Sequence, residues 1–418
     1  MRAASVVDYI WLVFLSLAPF DAVLLFGSMA TGVALLSWPR LILIAGICAS
    51  VLSSCVKPPI IETRLLRAVA PMLAWFAWSL ASVIWTKSTD GFSRYVLFLL
   101  FELAVFYETA RLVANRGALQ VLYFVPLLVS LAAGGLELWG GVRLDAYRQH
   151  EFPYSLVGPF VNPSYFSFWL GLYIPGLFVY AAGDNKRNRN GARILLPIAI
   201  WMSVRTGART GLVGLVAGTL VVVGLYITRR RGFVAAGMVA AMAVVVVYGM
   251  TRTPVAQAIP VVISNKLGTV PTMVEAGMVA WNESSRGYTF NLGIRAMQQA
   301  PLVGHGAGAT EEILATDANA VTLGNVNAHN WWLELGLNGG MIGLMLFLGA
   351  YVTTMVGVFR YSRARKGIDI PSTAVLAGLM TFPAMSVGPS SLLTNAALWL
   401  FLGFGAGIAA QNEASSRR

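Results

Sequence analysis

Residues 194–228 read ILLPIAIWMSVRTGARTGLVGLVAGTLVVVGLYIT, an apolar run whose only charged residues are Arg205 and Arg209. Basic clusters flank this run on both sides, at residues 184–193 and at the arginine triplet 229–231. A membrane crossing takes about 20 residues, so the run is too long for one straight helix and short for two. One crossing would place the two basic clusters on opposite faces of a membrane, against the positive-inside rule. We therefore predict a helical hairpin that turns near Arg205 and Arg209, with both basic clusters in the cytoplasm.

The composition of the whole chain agrees with a membrane protein. Of its 418 residues, 57% are hydrophobic and only 11% are charged. This balance does not suit a soluble globule, whereas a protein that crosses the bilayer many times requires it. We therefore predict an all-α polytopic membrane protein in which residues 1–418 form a single integral membrane domain.

Further apolar runs predict the other membrane spans. They begin near Tyr9, Gly32, Arg67, Phe92, Ala118, Ser164, Phe233, Asn330, Pro371 and Leu392. With the two helices of the hairpin this gives about twelve transmembrane helices and places both termini in the cytoplasm. Most of the +12 net charge then falls on short cytoplasmic loops. Because these basic residues form no single basic face with interleaved aromatics, we exclude a nucleic-acid partner.

This topology leaves one long loop on the outer side of the membrane. Residues 251–328 lie between the ninth and tenth predicted spans and are the only segment long enough to form a subdomain. We therefore predict a large periplasmic-loop subdomain at 251–328 within the membrane domain.

Arginines on the outer side are informative because the positive-inside rule does not account for them. Arg205 and Arg209 lie at the turn of the predicted hairpin. An unpaired guanidinium there costs several kcal/mol unless it reaches the membrane surface or binds an anion. Snorkelling to lipid headgroups is the structural alternative to an anion-binding role.

Two more arginines lie in SSRGYTFNLGIRAMQQAPLVGHGAGA, residues 284–309. A serine at the start can cap a helix that ends before Pro301. At about 100° per residue, Arg286 lies on the same face as Phe290, whereas Arg295 faces roughly the opposite way. Only one of the two arginines can therefore face a shared cavity. The glycine-rich turn after the helix could bring backbone amides close to an anion, but it lacks the Lys-Ser/Thr of a P-loop.

His329 lies immediately before a long apolar run that begins NWWLELGLNGGMIG. Imidazole is the side chain whose unperturbed charge change falls near neutral pH, so it can act as a general base. A polar cap at the start of a membrane helix is the structural alternative. His150 and His305 lie in outer loops and are interpreted as solvated. No two histidines have the spacing of metal ligands, and we predict no metal site and no cofactor.

Four stretches of the chain are similar to motifs of one known family. They are GPFVNPSYFSFWLGLYIPG at 158–176, RTGARTGLVGLVAG at 205–218, the segment 284–308 quoted above, and AHNWWLELGLNGGMIGLMLF at 328–347. In this order they resemble the bacterial O-antigen ligase and polysaccharide polymerase superfamily of integral membrane glycosyltransferases. The resemblance extends from about Leu156 to Leu348, and the earlier spans match only in hydropathy.

The resemblance implies the positions of the active site. The three catalytic positions of the family fall on Arg209, Arg286 and His329. Residues near them are expected to contact the substrates, namely Arg205, Asn162, Asn330 and Arg295. Two guanidiniums would hold a diphosphate by forked contacts and stabilise its charge as it leaves. His329 would take the proton of the acceptor hydroxyl or only orient that hydroxyl, and both roles stay open.

The family's donor is a glycan on undecaprenyl diphosphate, which is presented from the outer leaflet of the bilayer. The resemblance therefore implies a metal-independent glycosyltransferase in the bacterial inner membrane, with a periplasmic active site. A polymerase of O-antigen or exopolysaccharide, with a possible chain-length co-polymerase as partner, is our first expectation. An O-antigen ligase that joins the glycan to lipid A core, in lipopolysaccharide biosynthesis, is the alternative. A transporter of polysaccharide or lipid-linked sugars is the rival from another class.

Overall fold

The computed structural model describes residues 6–20, 46–47, 62–86, 88–142, 155–160, 162–227, 285–317, 327–364, 369–389, 391–393 and 395–415. These residues form helices joined by turns, with no strand among them, which confirms the predicted all-α class. The helices are α1 (Val6–Ser16), α2 (Thr63–Ala81), α3 (Thr89–Arg116), α4 (Leu119–Gly140), α5 (Pro163–Ala181), α6 (Lys186–Arg205), α7 (Arg209–Ile227), α8 (Ser285–Gln299), α9 (Ala309–Asp317), α10 (Trp331–Ala364), α11 (Ile370–Met385) and α12 (Ala396–Ser415). The predicted spans near Gly32 and Phe233 and much of the 251–328 loop lie outside the described residues.

Length and composition identify several of these helices as suited to a membrane. Thr63–Ile84, Leu119–Gly140 and Trp331–Ala364 are each long and apolar enough to cross one. Shorter apolar helices are Val6–Ser16, Val213–Gly224, Ile370–Met385 and Ala396–Gln411. The chain is therefore a multi-pass membrane protein, and a total of about twelve spans stays a prediction.

The predicted hairpin is present as helices α6 and α7, joined by residues 206–208. Gly207 allows the tight turn because its φ of 67° lies in the left-handed region that glycine adopts without strain. The Thr206 hydroxyl accepts a hydrogen bond from the Ala208 amide at 3.2 Å and closes the turn. The break in the apolar run 194–228 thus falls where the sequence predicts it.

Small residues let α7 pack closely on the buried helix α5. Gly211 contacts Ser167 near the start of both helices, and a Cβ on Gly218 would lie 2.5 Å from Pro175 further along. The two helices therefore run parallel. Contact at small residues is how helices approach closely in a membrane, where lipid is as apolar as the side chains.

Helix α11 runs antiparallel to α5. Its first residue, Ile370, lies against Gly183 beyond the end of α5. Near its other end the ring of Phe382 lies 6.2 Å from that of Phe168, between centroids. Met385, the last residue of α11, lies against Gly171 and Gly214, so α11 ends roughly 7–12 Å short of the first residues of α5 and α7, at about 1.5 Å per residue.

The two ends of the bundle differ in charge. At one end Arg64 of α2 donates to the Asn115 side chain of α3 at 3.4 Å, and Gln411 of α12 donates to the Val113 carbonyl at 2.6 Å. The basic residues at this end are Arg64, Arg67, Arg111, Arg116, Lys186, Arg187, Arg189, Arg193, Arg360 and Arg363. We call it the basic end, and we call the opposite end the turn end because residues 206–208 lie there. An excess of positive charge at one end is the pattern that the positive-inside rule predicts.

Helix α10 folds back on itself at Gly340, whose φ of 62° and ψ of −165° are not helical. The ring centroids of Trp331 and Phe347 are only 5.7 Å apart. In a straight helix these residues would be separated by about 24 Å, at about 1.5 Å per residue. The span predicted from Asn330 is therefore two segments. Residues 331–339 run toward the turn end, and residues 341–364 cross to the basic end.

Residues 301–306 replace the hydrogen bonds that the bend removes from α10. The backbone pairs, amide first, are His305–Leu337 at 2.8 Å, Gly306–Asn338 at 3.0 Å, Met341–Pro301 at 2.8 Å and Ile342–Leu302 at 3.1 Å. The Trp78 indole donates to the Gly339 carbonyl at 3.0 Å. Because buried backbone groups without partners are costly, these bonds stabilise the bend.

The start of α10 is recessed from the turn end. Trp75 lies 6.4 Å from Trp331 of α10 and stacks at 5.8 Å on Trp399 of α12, between ring centroids. Helix α12 follows α3 in parallel, with Gly403 against Thr109. From this register, α12 begins roughly 15–20 Å nearer the basic end than the first residue of α3 does, at about 1.5 Å per residue. We call the region between this level and the turn end the recess, which the first segment of α10 partly fills. Its floor is formed by the start of α10, by residues 386–389 and by residues 391–393.

Candidate active site

His329 lies at the floor of the recess, directly before α10. Its φ of 47° makes it the only non-glycine residue with a positive φ in the described part of the chain. Ala328 before it is 5% exposed and belongs to a small apolar cluster, so the chain is fixed on that side. A non-glycine residue in this conformation costs of the order of 1–3 kcal/mol and persists where the surrounding structure imposes it, often at a functional site.

Asn330 fixes the chain on the other side of His329. Its Oδ1 accepts hydrogen bonds from the amides of Trp332 and Leu333 at 3.0 and 3.2 Å, which is the geometry of a helix N-cap. The Trp331 amide donates to the Ser386 carbonyl at 3.0 Å and joins the start of α10 to the end of α11. The predicted substrate residue Asn330 therefore has a structural role, and substrate contact stays a prediction.

Asn162 has a similar structural role at the start of α5, where its Oδ1 accepts from the Ser164 amide at 2.7 Å. The chain before it is held by Glu137, whose Oε2 accepts from the amides of residues 157–158 at 3.1 and 2.6 Å. The Arg205 carbonyl accepts from the amide of residue 156 at 3.1 Å. These bonds join the α6–α7 turn to the start of α5 at one edge of the recess.

Glu334 is a buried acid beside the floor of the recess and is not among the site residues predicted from the sequence. It is 7% exposed, and its Oε1 accepts from the Ser391 hydroxyl at 2.8 Å. The Ser391 amide in turn donates to the Tyr165 hydroxyl of α5 at 3.2 Å. Glu334 lies one helical turn after Asn330, on the same face of α10. An acid inside an apolar helix is costly and therefore informative, and this signal was present in the sequence.

Helix α8 packs along the first segment of α10. A Cβ on Gly293 would lie 2.7 Å from Leu333, and one on Gly336 would lie 2.5 Å from the Met297 sulfur. These contacts advance in the same direction along both chains, so the two segments run parallel. Helix α8 therefore begins level with the residues just before Trp331, where His329 lies.

The orientation of α8 agrees with the helical phase predicted for its arginines. Phe290 and Met297 pack on the apolar cluster that α8 shares with α10. Arg295 is exposed and lies on the opposite face, as predicted. Arg286 is in the first turn, and its backbone position is one turn before Phe290 on the packed face.

The α6–α7 turn brings two arginine positions to the same level. Arg209 is the first residue of α7, and Arg205 is the last residue of α6, with an exposed side chain. Gly214 of α7 lies against Met385, the last residue of α11, and the next residue, Ser386, accepts the Trp331 amide. The backbone positions of Arg209 and His329 therefore lie on two sides of the end of α11, with Arg209 nearer the turn end.

The glycine-rich turn after α8 is not a cradle for an anion. The amides of residues 304–307 and 309–310 all donate to acceptors of the protein. His305 is half-buried, with its Nε2 2.8 Å from the Ala296 carbonyl, so its interpretation as a solvated residue is wrong. The turn stabilises the bend at Gly340 instead. His150 lies outside the described residues.

Within the described ranges, no three His, Cys, Asp or Glu side chains are grouped so that they could hold a metal ion. The absence of a metal from the reaction stays a prediction.

Fold and site together define an all-helical, multi-pass membrane protein with a recessed polar site, where a constrained histidine lies in the same part of the bundle as two arginine-bearing helix starts. Residues 194–348 match the family model described as O-Antigen ligase, and this region includes Arg209, Arg286 and His329. The match confirms the resemblance to the O-antigen ligase and polysaccharide polymerase superfamily. It supports a membrane glycosyltransferase of the ligase or polymerase type. Comparison with curated proteins finds no match.

Proposed function

We propose that this protein transfers a glycan from undecaprenyl diphosphate to an acceptor sugar hydroxyl at the periplasmic face of the bacterial inner membrane. The proposed reaction is polymerisation of O-antigen or exopolysaccharide, with a second lipid-linked glycan as acceptor. Ligation to lipid A core would use the same residues and is the alternative. The observation that carries the proposal is the constrained conformation of His329 at the floor of the recess, across the end of α11 from α7.

The surroundings of His329 favour a role in chemistry. Burial of Ala328 and capping by Asn330 fix the backbone on both sides, so the imidazole is attached to a rigid position. Holding a reacting group in place before substrate binds lowers the entropy cost of the reaction. A polar cap alone does not explain the strain, because Asn330 is already the cap of α10.

Two helix starts with arginines suit the diphosphate of the donor. Arg209 is the first residue of α7, and Arg286 is in the first turn of α8. A helix start carries unpaired amides and a partial positive charge of about half an elementary charge. A guanidinium at that place adds a formal charge and forked donors that match phosphate oxygens. Both features favour an anion near these helix starts.

The lipid part of the donor has a matching surface on α7. Val213, Val216 and Leu220 are exposed apolar residues on one face of this helix. The backbone position of Arg209 lies one turn before Val213 on the same face. A polyprenyl chain lying along this face in the bilayer would therefore bring its diphosphate to the start of α7.

The proposed reaction is a displacement at C1 of the donor sugar. The acceptor oxygen forms a bond to C1 while the bond from C1 to the diphosphate oxygen breaks. The diphosphate leaves with the bonding electron pair, and Arg209 and Arg286 stabilise its charge. The acceptor hydroxyl proton passes to His329, a step worth about 10²- to 10⁴-fold in rate for a general base.

A transfer assay in detergent tests this function. The full chain is purified and given radiolabelled lipid-linked glycan and acceptor without any ion gradient. Joined glycan is expected from the wild type and not from His329→Ala, whereas His305→Ala is the matched histidine control and keeps most of its activity. A transporter would give no joined glycan under these conditions, and that result would contradict the proposal.

A further inference from the structure

A second polar cavity lies at the basic end, on the far side of the bundle from the recess. It has a volume of about 200 Å³ and lies between the ends of α4, α5, α6 and α11. Its polar lining comes from Gln120, Tyr180, Asn185, Asn188 and Asp369. None of these residues belongs to the proposed active site, so the cavity requires a separate explanation.

Three helices begin at this cavity. Helix α4 has no side-chain cap, so the first amides of the turn that contains Gln120 have no capping acceptor. Helix α6 is capped by the neutral side chain of Asn185. Helix α11 is capped by Asp369, whose carboxylate accepts from the Ser372 amide at 3.1 Å. Helix starts carry partial positive charge and free amides, so their convergence favours an anion.

Two buried polar atoms at the basic end have no hydrogen-bond partner among the described residues, and one of them belongs to a residue that lines the cavity. Tyr180 is 1% exposed and lines the cavity, and its hydroxyl is unpaired. Arg189 lies one helical turn after Asn185, and its buried Nε is also unpaired. Buried polar groups are almost always hydrogen-bonded, so the unpaired Tyr180 hydroxyl in this cavity indicates a ligand that accepts hydrogen bonds, and Arg189 on the neighbouring helix turn is a second candidate donor.

We propose that this cavity binds a phosphate group, carried by an anionic phospholipid or as free phosphate. The Tyr180 hydroxyl and the Arg189 guanidinium donate to its oxygens, together with the uncapped amides of α4. Asp369 would repel a phosphate in direct contact, but it can accept a hydrogen bond from a hydroxyl. A headgroup that carries both a phosphate and hydroxyls, such as that of phosphatidylglycerol, fits this arrangement better than free phosphate.

The test measures ligand-dependent thermal stabilisation of the full chain in detergent by tryptophan fluorescence. In one arm, stabilisation by phosphatidylglycerol is compared with stabilisation by diacylglycerol, which lacks the phosphate. In the other arm, inorganic phosphate is compared with chloride at equal ionic strength. Tyr180→Phe and Arg189→Gln each remove one proposed donor. Tyr173→Phe is the matched control, because Tyr173 is on the same helix, is fully buried and also has an unpaired hydroxyl, away from the cavity. Arg193→Gln is the arginine control, since the Arg193 Nε donates to a backbone carbonyl at 3.2 Å.

Phosphatidylglycerol is expected to stabilise the wild type and both controls. Tyr180→Phe and Arg189→Gln should each need about tenfold more lipid for the same shift, the typical loss for one hydrogen bond to a charged group. Stabilisation by inorganic phosphate, weakened by the same two variants, would identify free phosphate as the ligand. The proposal is overturned if neither probe acts, or if Tyr180→Phe and Arg189→Gln respond like the wild type.

Discussion

Replacing Gly340 by alanine is expected to open the bend in α10 and to move His329 out of the recess. The φ of 62° and ψ of −165° at this position lie in a region that is essentially restricted to glycine. A Cβ there would also overlap the Leu302 carbonyl and the Gly304 amide, which belong to the turn that stabilises the bend. The substitution therefore strains the backbone and separates two segments that are bonded to each other.

The expected loss of stability follows from these two effects. Backbone strain contributes about 1–3 kcal/mol. Four backbone hydrogen bonds join the turn to α10, and losing two of them adds about 2 kcal/mol. The total of roughly 3–5 kcal/mol corresponds to a fall of about 3–6 °C in apparent Tm for a chain of 418 residues, at an unfolding entropy of about 2 cal/mol/K per residue.

Gly349→Ala is the matched control for this prediction. Gly349 is in the second segment of the same helix, and a Cβ there would meet no atom within 4 Å. Alanine is the better helix former by about 1 kcal/mol, so this variant should be at least as stable as the wild type. Apparent Tm and glycan transfer are measured for both variants in detergent. A Gly340→Ala variant with the Tm and the activity of the wild type would refute the fold-back at this residue.

Three further changes test separate parts of the structure. Arg286→Ala should abolish glycan transfer while Arg295→Ala retains much of it, because the two residues lie on opposite faces of α8. Equal loss of activity in both variants, at normal protein levels, would mean that α8 faces another way. Glu334→Ala should lower the free energy of unfolding by about 1–3 kcal/mol, measured by denaturant titration, because the Ser391 hydroxyl loses its acceptor. Glu334→Gln should lose less stability, since its amide oxygen can still accept that bond. Equal losses in the two variants would show that the hydrogen bond from Ser391 does not stabilise the fold. Reporter tags after Asn188 and after Arg231 should both report cytoplasm, and an outside signal at either would remove Arg209 from the periplasmic face.

The parts of the structure that the sequence predicts depend on local periodicity and charge. The break at 206–208 follows from basic residues on both sides of an apolar run too long for one crossing. The phase of α8 follows from 3.6 residues per turn, which separates Arg286 from Arg295. Neither prediction needs information about distant parts of the chain.

The fold-back of α10 was not predictable in the same way. Gly339 and Gly340 were visible in the sequence, but glycine is common in membrane helices and does not by itself indicate a bend. The bend depends on hydrogen bonds from residues 301–306, which only the folded chain brings into contact. The same long-range contact makes the interpretation of His305 as solvated wrong. Glu334 could have been found, since an acid within an apolar helix is rare.

The central claim is that His329 acts on the acceptor proton while the arginines hold the donor diphosphate. The most direct test compares donor affinity and kcat for wild type and His329→Gln in detergent. Because a general base acts in the transition state, donor affinity should stay within about twofold of the wild type while kcat falls by about 10²- to 10⁴-fold. Substantial turnover in His329→Gln, with donor affinity unchanged, would contradict base catalysis by this residue.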